Sequence, residues 1–261
     1  VSLRSLVEPV YERVLAHQCT VVPRHIAIIQ DGNRRYARDL GADTATGHRA
    51  GADTTERLLS WACDLGIETI TLYAFSTENF NRDPDELGEL FTLFCEKFMA
   101  TVSDERVHRY HIRVRMVGDR SLLPSTVLEA VEEAEAATAG YDRFHLNIAL
   151  AYGGRNEIVS AARRILADAA AGRVRPGEIT PALVDESLGD GAAVPPVDLI
   201  IRTGSEYRTS NFLPWQANGN ECAVYFCAPY WPRFRKIDLL RAIRVYQQRI
   251  AASGQPSIRH G

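Results

Sequence analysis

Apolar residues along this chain gather in short runs at 25–30 (HIAIIQ), 67–73 (IETITLY), 111–117 (HIRVRMV), 144–150 (FHLNIAL), 197–201 (VDLII) and 223–227 (AVYFC). Runs of that length, rich in Ile, Val, Leu and aromatic residues, suit buried strands, and segments of helical period separate most of them. The alternation predicts an α/β fold in a single domain over 1–261: a mostly parallel six-stranded sheet flanked by helices. Between the first two runs, Leu58, Trp61, Ala62 and Leu65 share one helical face, and Gly66 is a helix stop. In the next helix Pro84 suits the first turn, and Leu87, Leu90, Phe91, Phe94, Phe98 and Val102 form a continuous stripe. Such a stripe is ordinarily core; its flanking Leu93, Cys95 and Met99 widen it enough for a second apolar surface. Glycines and prolines cluster in 171–196 as a surface excursion, and the tail "SGQPSIRHG" reads as frayed.

Composition narrows the picture. An apolar fraction of 46% over 261 residues is ample for one sizeable core. The formal net charge is −3, from 30 basic and 33 acidic residues, so no global field favours nucleic acid or anionic lipid, and any anion site is local. No apolar run approaches the roughly 20 residues of a membrane span, and the start of the chain lacks signal-peptide order, which predicts a cytoplasmic protein. Five cysteines with no C-x-x-C pair argue for buried free thiols rather than disulfides or zinc. His108 and His111 have a spacing that could hold a metal, but they straddle the expected end of a helix.

Three polar clusters follow strands, where the loops of a parallel sheet share one rim. The first is Asp31-Gly32-Asn33-Arg34-Arg35, the second Ser76-Thr77-Glu78-Asn79 with Arg82, and the third Arg202-Thr203-Gly204-Ser205-Glu206 with Arg208, Ser210 and Asn211. Asp-Gly-Asn alone is a turn signal, but a helix starting at Arg34 would offer backbone N–H groups beside Arg35 as an anion cradle. Neither a phosphate loop nor a dinucleotide fingerprint is present. Arg202 and Arg208, with hydroxyls between them, suit phosphate oxygens, or else ordinary surface ion pairs. If both ends bind phosphate, Asp31 is out of place: a carboxylate about 4 Å from a phosphate charge costs on the order of 4 kcal/mol at an effective dielectric of 20. A divalent cation between them, Mg²⁺ with few protein ligands, reverses that sign.

The stretches "HIAIIQDGNRRYAR", "GHRAGA", "LYAFSTENFNR", "LNIALAYGGRNEI", "DLIIRTGSEYRTSNFLPWQ" and "PYWPRF", in this order, resemble the cis-prenyltransferases of the undecaprenyl diphosphate synthase family over roughly residues 23 to 250. The long segment between Trp215 and the last run is similar to archaeal members. The resemblance implies an enzyme with an apolar tunnel, lined by the Leu87–Val102 stripe with Ala74, Leu146 and Ile148, that joins isopentenyl diphosphate to an allylic diphosphate primer, geranylgeranyl diphosphate in the archaeal branch. It places the primer diphosphate at Gly32, Asn33, Arg34, Arg35 and Tyr36 with His48 nearby. Isopentenyl diphosphate falls at Arg202, Arg208 and Ser210, with Phe75, Glu78 and Arg82 as further substrate contacts. Asp31 and Glu221 become holders of Mg²⁺, and the implied catalytic set is Asp31, through that metal, with Asn79 and Ser76 close to where the proton is lost. A homodimer, a glycan-carrier-lipid product and a peripheral membrane contact for product release are also implied.

The chain departs from the family pattern in places. Arg34 stands where bacterial members commonly have glycine, Tyr36 and Phe80 replace tryptophans, Thr44 replaces a common arginine, and Ser205 interrupts the usual "RTGGE". A C-terminal Arg-x-Gly occurs only as Arg259 to Gly261, with "ASG" at the aligned position. A silent subunit of a heteromeric prenyltransferase would share the fold, but typically lacks the metal aspartate and the arginine cluster; Asp31, Arg202, Arg208 and Ser210 are all present.

Overall fold

A computed structural model describes residues 3–189, 194–217 and 222–253. In chain order the elements are α1 (Leu3–Gln18), β1 (His25–Ile29), α2 (Asn33–Asp39), α3 (Thr44–Leu65), β2 (Thr69–Tyr73), α4 (Pro84–Ser103), α5 (Glu105–Arg109), β3 (Ile112–Val117), α6 (Ser125–Thr138), β4 (Phe144–Ala149), α7 (Gly154–Ala170), α8 (Pro181–Ser187), β5 (Leu199–Arg202), β6 (Ala223–Phe226) and α9 (Lys236–Ser253). The fold is α/β, with a six-stranded parallel sheet in the order β3-β4-β2-β1-β5-β6. Each apolar run became a strand. The second starts at Thr69 because the Ile67 N–H closes on the Ala62 carbonyl and Gly66 takes φ 79° as the stop of α3.

The chain forms two compact units: Val1–Ile70, Val197–Arg208 and Gly219–Gly261 make the first, Thr71–Pro196 and Thr209–Asn218 the second. In the first, β1 is buried at every residue and pairs with β5 in the register Ile26↔Leu199 to Ile29↔Arg202. α2 begins at Asn33, one residue before the expected Arg34, with Gly32 as its N-cap. The "GHRAGA" glycines let α3 close on that start: a Cβ on Gly47 would lie 2.2 Å from the Asn33 carbonyl oxygen. Trp231, fully buried and stacked on Phe234, donates its indole N–H to the Gly51 carbonyl at 2.8 Å. Leu15 of α1 packs with Ile237 and Leu240 of α9.

In the second unit β3 and β4 run parallel in the register Ile112↔Phe144 to Val117↔Ala149, and α4 packs on α6. The α4 stripe divides: Leu90, Leu93 and Phe98 are buried, while Leu87, Phe91, Phe94 and Val102 stay half-buried and Met99 is exposed. A second, partly open apolar face thus runs beside the core face. The histidine spacing has an ordinary use: His108 Nδ1 meets the Tyr141 hydroxyl at 2.7 Å, Nε2 meets the Val102 carbonyl at 2.8 Å, and His111 stacks on the Tyr141 ring. Among the described residues no group of three or more His, Cys, Asp or Glu could hold a metal, and no helix is long and apolar enough to cross a membrane. The thiols differ from expectation: Cys222 and Cys227 are buried, but Cys19, Cys63 and Cys95 are only partly buried. The "SGQPSIRHG" tail beyond Ser253, Arg259 to Gly261 included, lies outside the described residues.

Candidate active site

In the first unit, β1 delivers Asp31 two residues past its end. Thr203 fixes the backbone there, its hydroxyl accepting the Asp31 N–H at 3.0 Å and donating to the Asp31 carbonyl at 2.7 Å. The level pairing of Ile29 with Arg202 brings an arginine to the same height. Arg202 Nη2 donates to Asp31 Oδ2 at 2.8 Å and Arg35 Nη2 to Asp31 Oδ1 at 3.1 Å. The Arg202 side chain is 4% exposed and that of Asp31 29%, so a buried cation faces a carboxylate with an open side. Arg202 Nη1 donates to the Arg208 carbonyl at 2.7 Å, while the Arg208 guanidinium itself is exposed and pairs with Glu206.

Gly32 is required where it stands. Its φ is 107°, and a Cβ would meet the Tyr230 ring at 2.7 Å. No side chain caps α2, so its first turn, with Asn33, Arg34, Arg35 and Tyr36, presents the amide end that the expected cradle needs. Asn33 Oδ1 is buried without a hydrogen-bond partner. Arg35 lies 5.2 Å over the Tyr230 ring and Arg233 5.3 Å over the Tyr36 ring. His48 is buried on α3 and Arg34 is exposed.

The second unit holds the other cluster. Ser76 bridges to Tyr152, whose carbonyl accepts the Thr77 N–H at 3.1 Å. Asn79 Oδ1 accepts the Ser76 N–H at 3.0 Å, which leaves its NH2 end as the donor of that side chain. Burial would raise the Glu78 carboxyl, but hydrogen bonds from its own N–H, Ser76, Asn211 and Thr77 hold it below the ordinary glutamate value. Arg82 is turned onto α4, where Nη1 donates to Glu86 Oε1 at 2.8 Å. Phe75 is almost wholly buried among Phe80, Phe91 and Phe94. Ser210 is exposed with φ 55°. Tyr152 and Gln216 both donate to Glu157 Oε2, at 2.6 and 3.2 Å.

Residues 29–254 match the undecaprenyl diphosphate synthase sequence profile. The chain belongs to the undecaprenyl diphosphate synthase family of prenyltransferases. Curated relatives include the tritrans,polycis-undecaprenyl-diphosphate synthase (geranylgeranyl-diphosphate specific) of Halobacterium salinarum, 53% identical over 93% of this chain and 80% of that protein. The synthase of the same name from Methanosarcina mazei is 49% identical over 92% and 82%. Among solved structures, lavandulyl diphosphate synthase from Lavandula x intermedia, in complex with dimethylallyl diphosphate, superposes with a TM-score of 0.78 at 33% identity, covering 87% of this chain and 95% of that one. A probable undecaprenyl diphosphate synthase from Campylobacter jejuni gives 0.70 at 28%, covering 87% and 96%.

Of the expected site residues, Asp31, Gly32, Asn33, Arg34, Arg35, Tyr36, His48, Arg202 and Arg208 lie in the first unit, and Phe75, Ser76, Glu78, Asn79, Arg82 and Ser210 lie in the second. Glu221 lies outside the described residues. Sequence reasoning named Thr203 only as a member of the third cluster, with no role of its own, and did not single out Tyr230. Thr203 follows Arg202 directly, and a hydroxyl at a strand end was a signal for it; Tyr230 had only its place in "PYWPRF".

Proposed function

We propose that this prenyltransferase extends geranylgeranyl diphosphate with isopentenyl diphosphate into a long Z-polyprenyl diphosphate, the precursor of a glycan carrier lipid. The observation that carries the reading is Asp31, held by Arg202 and Arg35 at the mouth of a buried strand. Support for the primer comes from the relatives that carry the geranylgeranyl-specific name at 46 to 53% identity.

The donor set fits a hydrated Mg²⁺. One partly open carboxylate, with a buried guanidinium behind it, suits an ion that keeps its waters and takes most ligands from phosphate. Asp31, with Glu221, would hold it, and when bound it draws charge onto the departing diphosphate. Arg35, the α2 amides and His48 bind the primer diphosphate, and Arg202, Arg208 and Ser210 the isopentenyl diphosphate. The allylic C–O bond breaks with its electron pair leaving on diphosphate, the isopentenyl double bond attacks the allylic carbon, and a proton leaves to create the new Z double bond. Asn79 acts there as a donor, because its carbonyl end is spent on the Ser76 N–H. Electrostatic stabilisation of the leaving group is the dominant contribution. The half-buried side of α4 receives the growing chain, each five-carbon unit gaining roughly 3 to 4 kcal/mol on burial. The enzyme works as a homodimer with a peripheral membrane contact for release.

The test is incorporation of radiolabelled isopentenyl diphosphate with Mg²⁺ and C10, C15 or C20 primers, beside an Asp31→Ala control. Metal-dependent elongation from the C20 primer, abolished in the control, is the expected result. No incorporation from any primer by well-folded protein would refute it and point to a silent subunit.

A further inference from the structure

The N-terminus of α7 is capped from a distance. Its N-cap is Gly153, which has no side chain to offer the free amides of the first turn. Asn211 takes that role instead: its carbonyl accepts the Gly154 N–H at 2.9 Å and its Oδ1 accepts the Arg155 N–H at 2.8 Å, 56 residues away in sequence. The glycines are what allow the approach. A Cβ on Gly153 would lie 2.9 Å from Thr77 Oγ1 and 3.1 Å from Asn211 Nδ2, and one on Gly154 would lie 2.1 Å from Pro214.

Capping alone does not call for an amide. An aspartate would accept the same hydrogen bonds and add a favourable charge at the helix N-terminus. What asparagine adds is a donor, and here Asn211 Nδ2 donates to Glu78 Oε1 at 3.2 Å. Glu78 in turn takes hydrogen bonds from Ser76 and Thr77, and Ser76 and Asn79 close the turn on each other. One side chain thus ties a rigid helix end to the turn that carries Ser76 and Asn79, and its chain neighbour is Ser210.

We infer that Asn211 is a positioning residue of the active site, which through Glu78 holds the Ser76–Asn79 turn in its working arrangement. The inference rests on the reaction proposed above for that turn. Asn211→Asp separates the two roles, since it keeps both capping acceptors and replaces the donor with a second carboxylate facing Glu78.

The experiment compares wild type, Asn211→Asp and Asn211→Ala by single-condensation kinetics, thermal unfolding and amide hydrogen exchange. The expected Asn211→Asp protein melts like wild type, keeps the primer KM, and loses about 10- to 100-fold in kcat, the scale of a misplaced reacting group. Its amides at 76–79 exchange faster while those of Gly154 and Arg155 stay protected. Asn211→Ala loses protection at 76–79 and at Arg155, while Gly154 keeps its backbone acceptor. Wild-type kcat and wild-type exchange at 76–79 in Asn211→Asp would overturn the inference, as would a loss of kcat seen only where melting temperature and protection at 154–155 fall with it. Should wild type itself catalyse no condensation, the proposed function fails, while exchange at 76–79 still decides whether Asn211 holds the turn.

Discussion

Arg202 and Asp31, 171 residues apart in sequence, meet at 2.8 Å at the ends of two paired parallel strands. The pair is asymmetric: the guanidinium is buried and the carboxylate faces outward. A buried cation therefore holds in place the carboxylate proposed to hold a metal. Asp31→Asn keeps the shape and removes the charge, and is expected to lose about 10²- to 10³-fold in Mg²⁺-dependent kcat while unfolding within about 1 kcal/mol of wild type. Asp31→Ala is expected to cost more in stability, about 1–3 kcal/mol, because Arg202 then loses the side-chain acceptor that asparagine keeps. Urea unfolding beside the incorporation assay separates the two effects, and wild-type turnover in Asp31→Asn would refute the assigned role.

Arg202 also reaches the Arg208 carbonyl with its second arm, which ties the strand end to the loop proposed for isopentenyl diphosphate. Lysine has the charge but not the fork. Arg202→Lys is expected to raise the isopentenyl diphosphate KM by about tenfold or more, the worth of one charged hydrogen bond, with a smaller change for the primer. Equal shifts in both Michaelis constants would show that the loop tie does not govern substrate binding.

What was legible in the sequence was local. Strand runs, the Gly66 stop and Pro84 at the head of α4 each rest on neighbours a few residues away, and the structure has all of them. Asp31 and Arg202 were legible as strand-end groups, but their contact depends on β1 pairing with β5, a crossover that no local pattern encodes. The Asn211 cap of α7 spans 56 residues, and Tyr230 is brought against Gly32 by the path after β6. Both are products of tertiary packing, and a lone Asn or Tyr carries no periodicity that would reveal them. The stripe on α4 was read correctly as apolar, yet its division into a core side and a half-open side depends on where α6 lies.

Ser205, where the family usually has glycine, sits at φ 57°. A left-handed conformation costs a non-glycine residue roughly 1–2 kcal/mol, and the single Ser205 Oγ bond to the Ala228 carbonyl, at 3.3 Å and exposed, recovers little of it. Glycine relieves that strain but adds freedom to the unfolded chain, so Ser205→Gly is expected to stabilise by about 0.5 kcal/mol net. Ser205→Ala should destabilise slightly, since it keeps the strain and drops the bond. A fall in the urea midpoint for Ser205→Gly would show that the backbone there is not strained.

The buried thiols make stability sensitive to base. Burial pushes Cys227 up to about 12 and Cys222 to about 11, with Asp238 adding to the first and Asp198 to the second, whereas a thiol in the unfolded chain ionises near 8.5 to 9. Below that range both states hold the proton and the folded chain keeps its full stability. Above it the unfolded chain releases protons that the folded chain retains, so stability falls as pH rises toward 11 to 12, by up to about 1.4 kcal/mol per pH unit for each thiol. Urea midpoints measured from pH 8 to 10.5 should decline, and Cys227→Ala should flatten that decline even though it lowers the starting value. In the folded protein at pH 8, iodoacetamide should leave Cys222 and Cys227 unmodified, because the reactive thiolate is suppressed as well as covered. Rapid alkylation of either one, or a decline of unchanged slope in Cys227→Ala, would place the base sensitivity elsewhere, with Tyr246, whose phenol burial raises to about 12, the next group to test.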